Sequence, residues 1–146
     1  MIDPSCFRHT FHRLSNDKLE CEQTVLRLGV VSETDAYLDG VEVRIVDTEP
    51  KCFDLTLPFP LMDEHASVSS PSYAFGINPR DHKYVRFLRK TPGSIKVFRS
   101  NGEEVSCATQ NYVITVTASV SNFPIKDTRK FCVSIGDQGQ LDCKEI

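Results

Sequence analysis

The chain lacks a long apolar segment and the common motifs of catalytic or metal-binding sites. It has no run of about 18 apolar residues, so no segment is long enough to cross a membrane as a helix. Its six cysteines form no CxxC pair, which argues against a zinc ribbon or a thioredoxin-type motif. No P-loop, HExxH motif or Ser-His-Asp spacing occurs, and we therefore expect that the protein is not an enzyme.

Strong charge and a secretion signal are also missing. The net charge of −3 argues against nucleic acid as a partner. The first 15 residues contain no apolar core of a signal peptide, so a secreted protein would carry this sequence as an internal piece of a longer chain. A chain of 146 residues fits one domain, or one domain plus a fragment.

The cysteines favour an oxidising compartment. An even number of cysteines permits three disulfides, and such bonds persist outside the cytosol. Cys107 precedes a long predicted strand and Cys132 lies in the last predicted strand, so adjacent antiparallel strands would allow them to pair. The other pairings stay open. The six are Cys6, Cys21, Cys52, Cys107, Cys132 and Cys143.

The hydrophobic pattern predicts an all-β fold. No segment sustains a 3.6-residue apolar stripe, whereas short alternating runs recur between turn signals. This pattern is typical of a Greek-key β-sandwich, here of about seven strands. The clearest strand is 112–120, and it should pack beside the strand 131–135. The residues predicted to face inward are Tyr112, Ile114, Val116, Ala118, Phe131, Val133 and Ile135.

The stretch from Val41 to Glu64 is predicted to join two β units. Apolar residues alternate with charged ones from 41 to 45, and the segment Asp47-Thr48-Glu49-Pro50 should end this strand. A second extended run follows, and Pro58 and Pro60 confine it to an edge or a bulge. An acidic break between two strands suits a hard cation, although an ordinary solvated turn has the same composition.

Several motifs resemble the second half of a cadherin repeat. They are the turn and strand TPGSIKV at 91–97, the long strand YVITVTA at 112–118 and the final strand FCVSIGD at 131–137. LECE at 19–22 is similar to the acidic motif of the family, with cysteine where arginine is usual, as in calsyntenin-type cadherins. The resemblance implies a cadherin- or immunoglobulin-like sandwich. It divides the chain into the end of one repeat at 1–49, a complete repeat at 50–138 and a tail or linker at 139–146.

The same resemblance implies a calcium site at the joint between repeats. Cadherin joints bind calcium through acidic residues of both repeats and the linker. The usual linker motif is poorer here, and the expected Asp-x-Asp is missing near 67–70, so the resemblance implies weak binding at most. The implied ligands are Glu20, Glu22, Asp47, Glu49 and Glu64.

The function implied by the resemblance is extracellular adhesion or recognition. The chain would be part of a larger cell-surface membrane protein and would bind a protein partner, either another copy or a different protein. Two alternatives stay open on the sequence. One is a secreted, disulfide-stabilised β-sandwich that binds a protein without calcium. The other is a cytosolic β-sandwich interaction domain with free thiols.

Overall fold

The protein is built of antiparallel strands. The computed structural model describes residues 2–3, 8–15, 18–33, 35–52, 55–64, 73–91, 93–98, 104–124, 126–137 and 139–146. Within these ranges there are twelve strands and no helix. The strands are β1 Ile2–Asp3, β2 Arg8–Ser15, β3 Lys18–Val31, β4 Leu38–Glu49, β5 Phe59–Pro60, β6 Phe75–Ile77, β7 His82–Thr91, β8 Ser94–Phe98, β9 Glu104–Ala108, β10 Tyr112–Ser119, β11 Lys126–Ile135 and β12 Leu141–Glu145.

The strands form two sheets. In sheet 1 the order is β3-β7-β8-β9, and β1 and β2 both pair with β3. In sheet 2 the order is β12-β11-β10-β4, and β5 and β6 both pair with β4. The two sheets enclose one hydrophobic core, so the predicted all-β sandwich is confirmed. The described part of the chain contains no helix that is long and apolar enough to span a membrane.

Alternating apolar residues fill the space between the sheets. In the β10–β11 pair, Tyr112 lies opposite Val133 and Ile114 opposite Phe131. The inward set predicted for these two strands is confirmed, since all of it is buried except Ile135, which is partly buried against the core. Phe131 meets Phe87 of sheet 1 edge to face, with ring centres 6.3 Å apart.

A β-bulge carries β4 beyond its predicted end. Ile45 lies opposite Val116 and Asp47 opposite Thr115, so Val46 is the extra residue on β4. The bulge turns both Val46 and Asp47 away from the core and returns Thr48 to the buried face, where it is 3% exposed. The prediction that residues 47–49 break the strand was therefore wrong. The strand continues to Glu49, and Pro50 follows it.

The segment after β4 crosses from one sheet to the other. Phe59–Pro60 pairs with β4 at the edge of sheet 2, which confirms the edge position predicted from the prolines. Two residues later, the carbonyl of Met62 accepts a hydrogen bond from the N–H of Arg86 on β7 in sheet 1. The segment 59–64 thereby ties the sheets together along one side of the sandwich.

Both sheets draw strands from either side of residue 50. In sheet 1, β3 pairs with β7, and in sheet 2, β4 pairs with β10. The predicted boundary between 49 and 50 therefore does not separate two groups of strands in this sandwich. The segment 139–146, expected to be a tail or linker, contains β12, which pairs with β11. A relation of these parts to cadherin repeats stays a prediction.

A disulfide between described residues links the two sheets. Cys52 follows β4 of sheet 2, Cys107 lies on β9 of sheet 1, and their Cα atoms are 5.8 Å apart. The predicted pair of Cys107 with Cys132 was wrong, because Cys107 is bonded to Cys52 and because Cys132, between the inward-facing Phe131 and Val133, is on the outer face of β11. Cys132 and Cys143 are unbridged. The structure does not describe the side chains of Cys6 and Cys21.

Candidate functional site

Glu64, a predicted calcium ligand, is bound to an arginine. One guanidinium nitrogen of Arg27 donates to both oxygens of the Glu64 carboxylate, over 3.1 and 3.2 Å. The guanidinium carbon of Arg27 also lies 3.8 Å from the centre of the Tyr84 ring, at cation–π distance. The backbone N–H of Glu64 donates to the carbonyl of Tyr84. A calcium ion at Glu64 would have to compete with Arg27 for the carboxylate.

Asp47 and Glu49, two further predicted ligands, lie on β4 in sheet 2. The Asp47 carboxylate accepts a hydrogen bond from the ammonium of Lys51, which holds the pKa of Asp47 below its usual value. The same contact raises the pKa of Lys51. Glu49 lies opposite Val113 and is exposed. Both residues thus belong to the sheet opposite the one that binds Glu64.

The remaining predicted ligands, Glu20 and Glu22, lie on β3, where only the backbone is described. Among the described residues, no three His, Cys, Asp or Glu side chains are grouped so that they could hold a metal ion. The structure therefore does not bring Asp47, Glu49 and Glu64 together as a group. A calcium site that includes Glu20 and Glu22 stays a prediction.

Three loops meet at one end of the sandwich, and we call this surface the loop end. It comprises residues 32–33 and 35–37 between β3 and β4 together with the first residues of β4, 38–40, then residues 78–81 between β6 and β7, and residues 120–124 after β10. The first loop lies between the other two and is hydrogen-bonded to both of them. The loop end is therefore assembled from parts of the chain that are far apart in sequence.

Hydrogen bonds fix the loop after β10 against the loop before β4. The Asn122 side chain donates to the carbonyl of Tyr37 over 2.9 Å and accepts from the N–H of Asp39 over 2.9 Å. The backbone N–H and the hydroxyl of Ser121 both donate to the carbonyl of Asp39. Gly40 has a φ of +57°, and a Cβ there would lie 2.3 Å from the Ser121 hydroxyl oxygen. Only glycine permits this close approach without strain.

A second set of bonds fixes the loop before β7. The N–H of Ser32 donates to the carbonyl of Asp81 over 3.0 Å. The guanidinium of Arg80 donates to the Asp35 carboxylate over 2.9 Å and to the carbonyl of Glu33 over 3.3 Å. The Arg80 side chain is 66% exposed, so it is held in place while it faces solvent. A φ of 57° at Arg80, which is uncommon for a residue other than glycine, helps to shape this loop.

Two aromatic rings are exposed at the loop end. Tyr37 is 48% exposed and Phe123 is 38% exposed. Gly76 on β6 makes room for the Tyr37 side chain, since a Cβ at this position would lie 1.9 Å from the Tyr37 hydroxyl oxygen. Exposed aromatic rings on hydrogen-bonded loops, with an exposed arginine at the same end, suit noncovalent recognition of another molecule.

The sequence contains only a weak signal of this surface. The loops that carry Tyr37 and Phe123 each connect two strands. An aromatic residue within each of two turns, as with Tyr37 and Phe123, is the one feature that could have singled them out. Nothing in the sequence indicates that these two turns touch.

Comparisons with known proteins identify no relatives. A scan of the chain against protein-family models found no match, and searches of curated proteins and of solved structures found none either. The functional argument therefore depends on the residues, the loop end and the disulfide.

Proposed function

We propose that the protein is an extracellular adhesion or recognition module that binds a protein partner through the loop end. The observation that carries the proposal is the pair of exposed rings, Tyr37 and Phe123, on loops held together by hydrogen bonds. Aromatic and arginine side chains supply much of the binding energy of protein interfaces. Loops that are already fixed lose less conformational entropy on binding.

The compartment is inferred from the disulfide. Cys52 and Cys107 join opposite sheets, and Cys107 is only 8% exposed, so the bond is part of the packed interior. Structural disulfides of this kind are typical of secreted and cell-surface proteins. We infer that the chain belongs to the extracellular part of a larger membrane protein. Six free thiols in protein purified from its native source would contradict this and favour the cytosolic alternative.

A cadherin-type module that binds calcium weakly, if at all, is compatible with these observations. The contacts of Glu64 with Arg27 and of Asp47 with Lys51 favour binding of the partner without calcium. Thermal melts with millimolar calcium and with chelator test this point. We expect a difference of no more than a few degrees. A larger shift that Glu64→Ala abolishes would instead support a calcium-dependent joint.

The proposed binding surface can be tested with the purified chain displayed in many copies. Beads coated with the protein report homophilic adhesion, and fluorescent multimers applied to cells report a different surface protein. Tyr37→Ser combined with Phe123→Ser should abolish whichever signal the parent gives. Both side chains are partly exposed, so we expect the variant to melt within a few degrees of the parent.

Val46→Ser is the matched control. Val46 is 38% exposed, as Phe123 is, but it lies on the outer face of sheet 2 rather than at the loop end. This variant should keep full binding. Equal loss of binding in the control and in the loop-end variant would contradict the proposal, as would full binding by the loop-end variant.

A further inference from the structure

β12 is an edge strand of sheet 2, and its hydrogen bonds to β11 define which backbone groups face outward. The N–H of Ile146 donates to the carbonyl of Lys130, and the N–H of Gly136 donates to the carbonyl of Gln140. In an antiparallel pair, hydrogen-bonded residue pairs alternate with pairs that are not hydrogen-bonded. Between those two bonds, Asp142 and Lys144 of β12 therefore bond to β11.

The residues between them have the opposite orientation. Cys143 lies opposite Val133 and Glu145 opposite Phe131, both in positions that are not hydrogen-bonded. The backbone N–H and C=O groups of Cys143 and Glu145 consequently point away from β11, toward the outer edge of the sheet. Such an edge is a template for pairing with a further strand.

We propose that this edge pairs with β12 of a second copy of the chain, antiparallel and about a two-fold axis at Cys143. In this register Cys143 lies opposite Cys143 of the second copy, and their outward N–H and C=O groups form the central hydrogen-bonded pair. Sheet 2 of the two copies becomes one continuous sheet. A symmetric contact of this type is self-complementary and closes at two copies.

In this register, unlike most others, oppositely charged residues of the two β12 strands lie opposite each other. Asp142 lies opposite Lys144 of the second copy, and the symmetry repeats the contact on the other side of the axis. These are positions without hydrogen bonds, where side chains approach most closely. The two ion pairs would select this partner and register over others.

A charge exchange tests the register. Lys144→Asp places two aspartates opposite each other on both sides of the axis, so we expect the dimer dissociation constant to rise at least about tenfold. Asp142→Lys should have the same effect through opposed lysines. The double variant with Asp142→Lys and Lys144→Asp restores opposite charges and should restore the dimer. Analytical ultracentrifugation at protein concentrations up to about 10⁻⁴ M measures all four proteins, because a short interface gives weak association.

The outward orientation of the edge is tested separately. Cys143→Pro removes an N–H that points away from β11, so the strand should keep its place in the fold while the dimer is lost. Cys143→Ser should keep the dimer, because it removes only the thiol. A parent that stays monomeric at these concentrations would overturn the proposal. A charge-exchanged double variant that stays as weak as the single variants would overturn the register. Loop-end variants should dimerise normally, so this outcome is independent of partner binding.

Discussion

The side-chain amide of Asn122 donates to the carbonyl oxygen of Tyr37 over 2.9 Å and joins two loops that are 85 residues apart in sequence. The same side chain accepts from the N–H of Asp39. Asn122 thus satisfies an acceptor of the loop before β4 and a donor at the start of β4, and it holds this segment beside the loop that carries Phe123. The position of one exposed ring relative to the other depends on this residue.

Asn122→Ala should loosen the loop end. The variant loses two hydrogen bonds to backbone groups, and we expect the free energy of unfolding to fall by about 1–2 kcal/mol. Partner binding should weaken further than this loss of stability explains, because the loops must be ordered again on binding. Urea denaturation and multimer binding measure the two effects.

Asn111→Ala is the control for that experiment. The side chain of Asn111 accepts one hydrogen bond, from the N–H of Ile135 over 3.3 Å, and it lies away from the loop end. This variant should lose less stability and keep its binding. If Asn111→Ala weakened binding as much as Asn122→Ala, the loop end would not be the binding surface.

Gly40→Ala should destabilise the fold for two reasons. Alanine at a φ of +57° has backbone strain of about 1–2 kcal/mol, and its Cβ would also overlap the Ser121 side chain. Gly93→Ala separates the two effects, because Gly93 has a φ of +83° but nothing within 4 Å of an added Cβ. We expect Gly40→Ala to lower the melting temperature more than Gly93→Ala. Equal losses would mean that Ser121 moves aside without cost.

Cys143 should react slowly with alkylating reagents. Burial raises the pKa of its thiol to about 12, with a smaller contribution from the neighbouring Cys132. The reactive thiolate is therefore scarce at neutral pH, and its fraction keeps rising above about pH 10, where the thiolate fraction of an ordinary thiol has levelled off. Mass spectrometry of the Cys143 peptide after short alkylation pulses gives the pH–rate profile. A plateau at about pH 10 in the folded protein would contradict the raised pKa, whereas denaturant should produce that plateau.

The sequence predicted those parts of the fold that follow from the alternation of apolar and polar residues along one strand. The inward faces of β10 and β11 are as expected, because a buried sheet face requires apolar residues at every second position. The end of β4 was misplaced because one extra residue, Val46, shifts the alternation without ending the pairing. A bulge of this kind has no distinct signature in a single sequence.

Features that depend on the arrangement of strands could not be predicted. Cys107 bonds to Cys52 rather than Cys132, because Cys132 lies between the inward-facing Phe131 and Val133 and is therefore on the outer face of sheet 2. The loop end has the same origin, since the contact between Asn122 and Tyr37 exists only once the two loops lie at one end of the sandwich. Local sequence gives each turn, whereas tertiary packing decides which turns meet.

The disulfide should contribute much of the stability of the sandwich. Cys52 and Cys107 are 55 residues apart. A crosslink over this separation lowers the entropy of the unfolded chain, which stabilises the folded state by about 4 kcal/mol at 25 °C. Replacing both cysteines with alanine should therefore lower the free energy of unfolding by several kcal/mol, which urea denaturation measures. Cys132→Ala is the control, since Cys132 is unbridged, and it should have a small effect. If the double variant were as stable as this control, another pairing would have to hold the two sheets together.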